Sequence, residues 1–346
     1  MKPSPFAKKG RVKPQKIMVD PDAMVKTRTD GGPMPLIVEP ATPDLDGPAW
    51  LAGQRDHMEE LLAKHGAILF RGFDLESQAD FENFAAALYP ELYETYGDLP
   101  KASGRVYGAT PYPHNDPILF HNEASHTHCW PTRQFFFCHT VASSGGATVI
   151  ADCRALYQSL TEEERALFAE KGLMYTRNFI EGVDVSWQDF FRTESKDEMA
   201  AMCAERGISF EWQADGGLHT SQKGPAIVRH PRTDELIFFN QIQLHHPVFL
   251  PEQVRSSLQN LYGERGMPRC VYFGDGTPIS DALARKLEAQ AWEHSVDVCW
   301  QKGDVVMLDN MLITHGRKVY ELPRKIYVVL ARIMKQSELK PLPLGP

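Results

Sequence analysis

From residue 111 onward the chain is a succession of short apolar runs, each too brief for an ordinary helix, with Gly, Pro and Asn separating them. The runs 134–141, 148–151, 226–230, 236–240, 305–308 and 326–333 are rich in β-branched and aromatic residues. Such spacing predicts strands of an antiparallel sandwich or barrel. It does not alternate strand with helix, so a parallel βαβ sheet is excluded. Helices are expected as inserts near 161, where Thr161-Glu162-Glu163-Glu164 forms a capping box, and near 195–205, 252–262 and 280–293. Two amphipathic helices, 49–65 and 77–89, flank a buried strand at 67–70. The expected architecture is β-rich: an extended arm over 1–46, then one domain over 47–346 with a helical insert at about 154–225.

No apolar run is long enough to span a bilayer. The first sixteen residues are basic but lack the apolar segment of a secretory signal. Six scattered cysteines, with no CxxC pair, fit free thiols in a reducing compartment, so a cytoplasmic location is expected. A net charge of -8 argues against broad nucleic-acid binding. These features leave a small-molecule substrate, no nucleic acid and no membrane as the expected partners; self-association is compatible with them.

The chemistry concentrates in three segments. His121-Asn122-Glu123 follows a strand-like run, and residues i and i+2 of a strand face one side, so an imidazole and a carboxylate can converge on one ion. That pair is two-thirds of the facial triad that binds non-heme Fe(II) and leaves positions open for a co-substrate and oxygen. The pattern Gly303-Asp304-Val305-Val306-Met307-Leu308-Asp309-Asn310, then Thr314-His315-Gly316-Arg317, delivers His315 as a third ligand at a strand end. Arg324 opens the next β-rich run, where a buried guanidinium can grip a carboxylate. Gly145-Gly146-Ala147-Thr148 makes a tight turn that aims the Thr148 hydroxyl at the same acid.

In order and spacing these segments, with Gly66-Ala67-Ile68-Leu69-Phe70-Arg71-Gly72-Phe73 and Phe239-Asn240-Gln241, resemble the taurine dioxygenase (TauD/TfdA-like) branch of the Fe(II)/2-oxoglutarate-dependent oxygenases, over residues 35 to 334. The resemblance implies a double-stranded β-helix (jelly roll). It implies Fe(II) held by His121, Glu123 and His315, with 2-oxoglutarate contacted by Thr148 and anchored by Arg324. It further implies a dioxygenase that consumes O2 and 2-oxoglutarate, releases succinate and CO2, and hydroxylates an unactivated C–H bond; desaturation or cyclisation of a small carboxylate is the alternative outcome. Glu123 stands where many members have Asp, and a carboxylate at that position disfavours halogenation. The loop from His315 to Arg324 is shorter than in taurine dioxygenase, which keeps Lys325 and Arg332 as alternative anchors. Val328 and Val329 lie where that enzyme carries its sulfonate-gripping arginine, so taurine is not the expected substrate. A subgroup with HNE, GGxT and HGR motifs resembles the chain more closely; its members modify amino acids, free or tethered to carrier proteins.

Other candidates carry less. His126 and His128 share the HxE alternation, but a fourth protein ligand would block the open face, so a structural or substrate contact is expected. His245-His246 reads as loop, and Trp187-Gln188 and residues 238–241 as pocket lining or core. Arg71 and Arg317 are left between pairing with acids and holding substrate. A zinc hydrolase on the same three ligands, which would give Thr148 and Arg324 no obvious purpose, and a non-catalytic relative are the rival readings.

Overall fold

The computed structural model describes residues 24–94, 99–180, 182–214, 216–263 and 265–342. The basic segment at the start of the chain lies outside them. Two sheets face each other and form the jelly-roll core. The larger has eight strands in the spatial order Val25–Arg28, Leu36–Pro40, Ala67–Phe70, Val305–Asp309, Cys129–Thr140, Lys325–Lys335, Val106–Gly108, Lys101–Ser103. The smaller has four: Ser295–Val298, Thr148–Asp152, Ile313–Arg317 and Ile118–His121. Every pairing in them is antiparallel except that of Leu36–Pro40 with Ala67–Phe70.

The strand Cys129–Thr140 lies near the middle of the large sheet and is buried on both faces, which explains its apolar run Phe135-Phe136-Phe137-Cys138. Its alternate residues serve different cores. Phe135 and Phe137 join Val305, Met307, Tyr327 and Val329 on the outer face, under Met58, Leu62, Phe81 and Phe84 of the helices Arg55–His65 and Gln78–Leu88. Phe136 and Cys138 join Val306, Leu308, Ile326 and Val328 on the inner face, toward the small sheet. The apolar periodicity of the helices and the period of two in the strands thus meet along one interface, with Phe81 stacked on Phe137 at 5.1 Å.

Three expectations change. The helix expected over 49–65 is two helices, Gly47–Leu51 and Arg55–His65, because Asp46 caps the first and the chain turns at residues 52–54. From residue 24 the arm is not merely laid over the domain: Leu36–Pro40 enters the large sheet with Leu36, Ile37 and Val38 buried. The insert at 154–225 is only partly helical. Its strands Leu173–Phe179, Ile208–Trp212 and Leu218–Gly224 pair with one another and with Arg269–Phe273 as a separate four-stranded sheet. The Thr161 capping box forms as read, with reciprocal bonds to Glu164 of 3.2 and 2.9 Å. Among the described residues no helix is long and apolar enough to cross a membrane.

Candidate metal centre and its cavity

His121 ends its strand and sits directly across from His315 in the neighbouring one, so pairing register alone brings the rings to 4.2 Å between centroids. Glu123 arrives differently. The strand stops at His121, and residues 122–128 form a turn rather than continuing the alternation on which the HxE reading was based. Side-chain amides hold that turn. Asn122 Nδ2 donates to the carbonyls of Asn310 (2.7 Å) and Ile313 (3.1 Å), and Gln241 Nε2 donates to the Asn122 carbonyl at 2.9 Å. Asn310 clamps Glu123 at both ends of its peptide unit: the Glu123 N–H donates to Oδ1 at 2.7 Å, and Nδ2 donates to the Glu123 carbonyl at 2.9 Å. A positive φ of 57° at Ala124 lets the chain turn away beyond the carboxylate.

One ligand atom from each of His121, Glu123 and His315 lies within 4.8 Å of the others, and all three residues are buried. Nδ1 of His121 is hydrogen-bonded to the Leu119 carbonyl at 2.8 Å, which turns Nε2 away from it as a lone-pair donor. Burial, with His121 beside it, keeps the His315 imidazole well below its ordinary pKa and therefore neutral, and its buried Nδ1 has no hydrogen-bond partner. Glu123 Oε2 accepts from Gln134 Nε2 at 3.2 Å. Two imidazoles and one carboxyl group lining one cavity fit a divalent ion with an open coordination face. The donor set is mixed nitrogen and oxygen with no thiolate, which suits iron.

The cavity beside this cluster encloses about 470 Å³, counted to its open mouth. Leu99, Phe136, Ile326 and Val328 supply apolar wall, and Thr148, Gln134, Arg317 and Arg324 the polar groups. Thr148 is paired across the sheet with Arg317, and its Oγ1 accepts from Trp300 Nε1 at 3.2 Å. Arg324 bonds only to the Gly146 carbonyl, at 3.0 Å, and lies over the Tyr320 ring; among the described residues it has no acidic partner. Burial and the nearby Arg317 charge pull its guanidinium down to about 10, so it stays charged at neutral pH. The paired glycines make room for it. Gly146 has φ +71°, and a side chain there would meet Arg324 Cδ at 2.9 Å. Gly316 lies so close to the opposite strand that a Cβ would come within 2.6 Å of the Ile118 carbonyl oxygen.

The five residues singled out from the sequence (His121, Glu123, Thr148, His315 and Arg324) therefore line one cavity. The alternative anchors do not: Lys325 is exposed over Tyr327, and Arg332 is paired with Glu59 at 2.8 Å, outside the cavity. His245 lies near Tyr175 and His126, and His246 bonds to the Ile279 carbonyl; neither joins the cluster. Trp187 packs on Trp212 in the insert, and Phe238 packs in the core beneath the small sheet, so neither lines this cavity. Sequence reading missed Gln134, Trp300 and the Asn122–Asn310–Gln241 clamp. Gln134 was detectable in principle, as a polar residue opening a run of apolar ones.

A jelly roll with two histidines, a glutamate and an unpaired arginine in one cavity defines a candidate mononuclear oxygenase. The family model described as "Taurine catabolism dioxygenase TauD, TfdA family" matches residues 33–331, and the chain belongs to that family. It is a non-heme Fe(II)/2-oxoglutarate-dependent dioxygenase. The dapdiamide synthesis protein DdaC of Enterobacter agglomerans is 36% identical over 276 residues, covering 79% of this chain and 84% of that protein. A clavaminate synthase-like protein of Arabidopsis thaliana is 28% identical over 322 residues, 87% and 94% of the two chains. Among solved structures, PvcB from Pseudomonas aeruginosa superposes with a TM-score of 0.55 at 17% identity, covering 92% of this chain and 96% of its own, a likeness of fold.

Proposed function

We propose that His121, Glu123 and His315 hold the iron, that Thr148 and Arg324 seat 2-oxoglutarate, and that the enzyme hydroxylates an unactivated C–H bond of an amino acid or an amino-acid-derived small molecule. The observation that carries this reading is the shared cavity: a buried His-Glu-His cluster and, lining the same cavity, a half-buried arginine with no acid to neutralise it among the described residues. A guanidinium drawn partly out of water without a counter-charge is costly, and a carboxylate ligand that forms a charge-assisted, two-point contact offsets that cost. The bound iron and keto acid supply the oxidising power. The protein's own residues do the rest: Asn310 and Gln134 fix the orientation of Glu123, Trp300 fixes the Thr148 hydroxyl, and the apolar walls exclude water from the reacting face. DdaC is a dapdiamide synthesis protein and PvcB belongs to an isonitrile synthetic pathway, which supports a small-molecule substrate here.

The test is incubation with Fe(II), ascorbate and labelled 2-oxoglutarate against free and carrier-bound amino acids, read by succinate release and product mass. One or more substrates should stimulate succinate formation in wild type and none in His315→Ala. Turnover that survives His315→Ala, or that needs Zn(II) instead, would reject the assignment.

A further inference from the structure

Arg71 and Arg317, alike in the sequence as unassigned cations, part company in the structure. Arg71 makes a two-point bridge to Asp304, with bonds of 3.1 and 2.7 Å, and is a structural residue. Arg317 is 7% exposed, lines the cavity, and has no ion pair with an acid among the described residues. It lies two positions along its strand from His315 and directly across from Thr148, so it shares their face of the small sheet. Its terminal nitrogens are already occupied: Nη1 donates to the Tyr112 carbonyl (3.2 Å), and Nη2 to those of Pro113 (2.6 Å) and Asp116 (2.5 Å). Those bonds, with Tyr320 stacked 4.9 Å away, fix the plane of the guanidinium. Nε is the one nitrogen of the group left without a hydrogen bond: its N–H is buried and meets no acceptor among the described residues.

A built site with a vacant, charged Nε–H calls for an anion. The charges point to which one. Iron contributes two positive charges and the two arginines two more, while Glu123 and the two carboxylates of 2-oxoglutarate return three. One positive charge remains unmatched in a largely enclosed cavity. We propose that Arg317 receives a carboxylate of the substrate through Nε–H, so that the compound oxidised enters as an acid whose receiving carboxylate is free, not esterified or amidated. This rests on the proposed iron and 2-oxoglutarate assignment.

The experiment is anaerobic calorimetry on the full chain. Mn(II) and then 2-oxoglutarate are titrated first. Amino acids and their N-acetyl derivatives follow, each compared with its own carboxamide, on wild type, Arg317→Lys and Arg317→Gln. In wild type at least one acid should bind, about tenfold or more tighter than its amide, as expected for a charge-assisted hydrogen bond. Arg317→Gln should bind acid and amide alike, with 2-oxoglutarate affinity changed by less than about twofold, and Arg317→Lys should keep part of the discrimination. Acid and amide binding equally in wild type, no acid binding at all, or Arg317→Gln weakening 2-oxoglutarate while sparing the acid–amide ratio would each overturn the proposal. Loss of Mn(II) or 2-oxoglutarate binding in wild type would instead count against the underlying site assignment, and the first titrations separate the two failures. If Arg317→Gln loosens the loop it fastens, the wild-type acid–amide comparison still decides.

Discussion

Arg133, buried within the strand Cys129–Thr140, and Arg324, half-buried at the entrance to Lys325–Lys335, lie in or just before strands of the large sheet but keep opposite company. Arg133 faces outward under the helices. There it bridges Glu59 and donates to Asp309 at 2.7 Å, while Tyr89 and Arg332 complete the coordination of Glu59 and His230 lies 3.2 Å from Asp309. Arg324 faces inward and meets one carbonyl and one aromatic ring. The same side chain is a finished structural part on one face and an unfinished receptor on the other. The difference lies in the neighbours each face supplies, and the two should respond oppositely to removal.

The largest effect is expected at Arg133. Arg133→Met removes the cation shared by two buried carboxylates, leaving Glu59 to Arg332 and Tyr89 and Asp309 to His230, and should cost about 3–5 kcal/mol in urea unfolding. Arg324→Met should do the reverse: stability of the ligand-free protein unchanged or raised by about 1 kcal/mol, and 2-oxoglutarate affinity lowered about 100-fold by calorimetry. A stability loss at Arg324 equal to that at Arg133 would erase the contrast. Gln134→Leu, which removes the donor to Glu123 Oε2, should weaken Mn(II) binding about tenfold with little loss of stability; an unchanged affinity would show that the Asn310 clamp alone orients the carboxylate.

The smallest effect is in acid. Burial alone would raise the Glu59 pKa, but the Arg133 hydrogen bond and charge outweigh it and hold the carboxyl at about 2, below its ordinary 4.5. A carboxylate depressed on folding stabilises the fold above its unfolded pKa, and that contribution is lost as pH falls toward its folded pKa. Wild type should therefore lose this contribution between about pH 4.5 and 2. In a variant that folds without the bridge, such as Arg133→Lys with its single-point contact, the acid transition should move up by about one pH unit, followed by circular dichroism.

Much of the site was legible because its chemistry is carried by rare residue types at fixed chain positions. His121, Glu123, His315, Thr148 and Arg324 could be found from spacing and from the glycines that make room for them. The mechanism of convergence could not. The HxE pair was read as strand alternation, whereas Glu123 sits in a turn held by Asn122, Asn310 and Gln241, residues far apart in the chain whose amides look like ordinary polar residues until they meet. The insert was misjudged for a related reason. Its helices carry local caps such as Thr161 and Ser195, but its strand Leu173–Phe179 pairs with Leu218–Gly224 at the far end of the insert and with Arg269–Phe273, beyond the insert in the chain.

By itself the sequence determined the β-rich core, the helix starts, the three candidate ligands and the class of enzyme, because local propensity, capping and residue chemistry act over a few positions. Tertiary structure alone decided which arginine is paired. Arg71, Arg133 and Arg332 meet carboxylates brought from distant segments, whereas Arg317 and Arg324 face the cavity and are ion-paired with no acid among the described residues. A buried charge is defined by what surrounds it, and those surroundings come into being only when the two sheets close on each other.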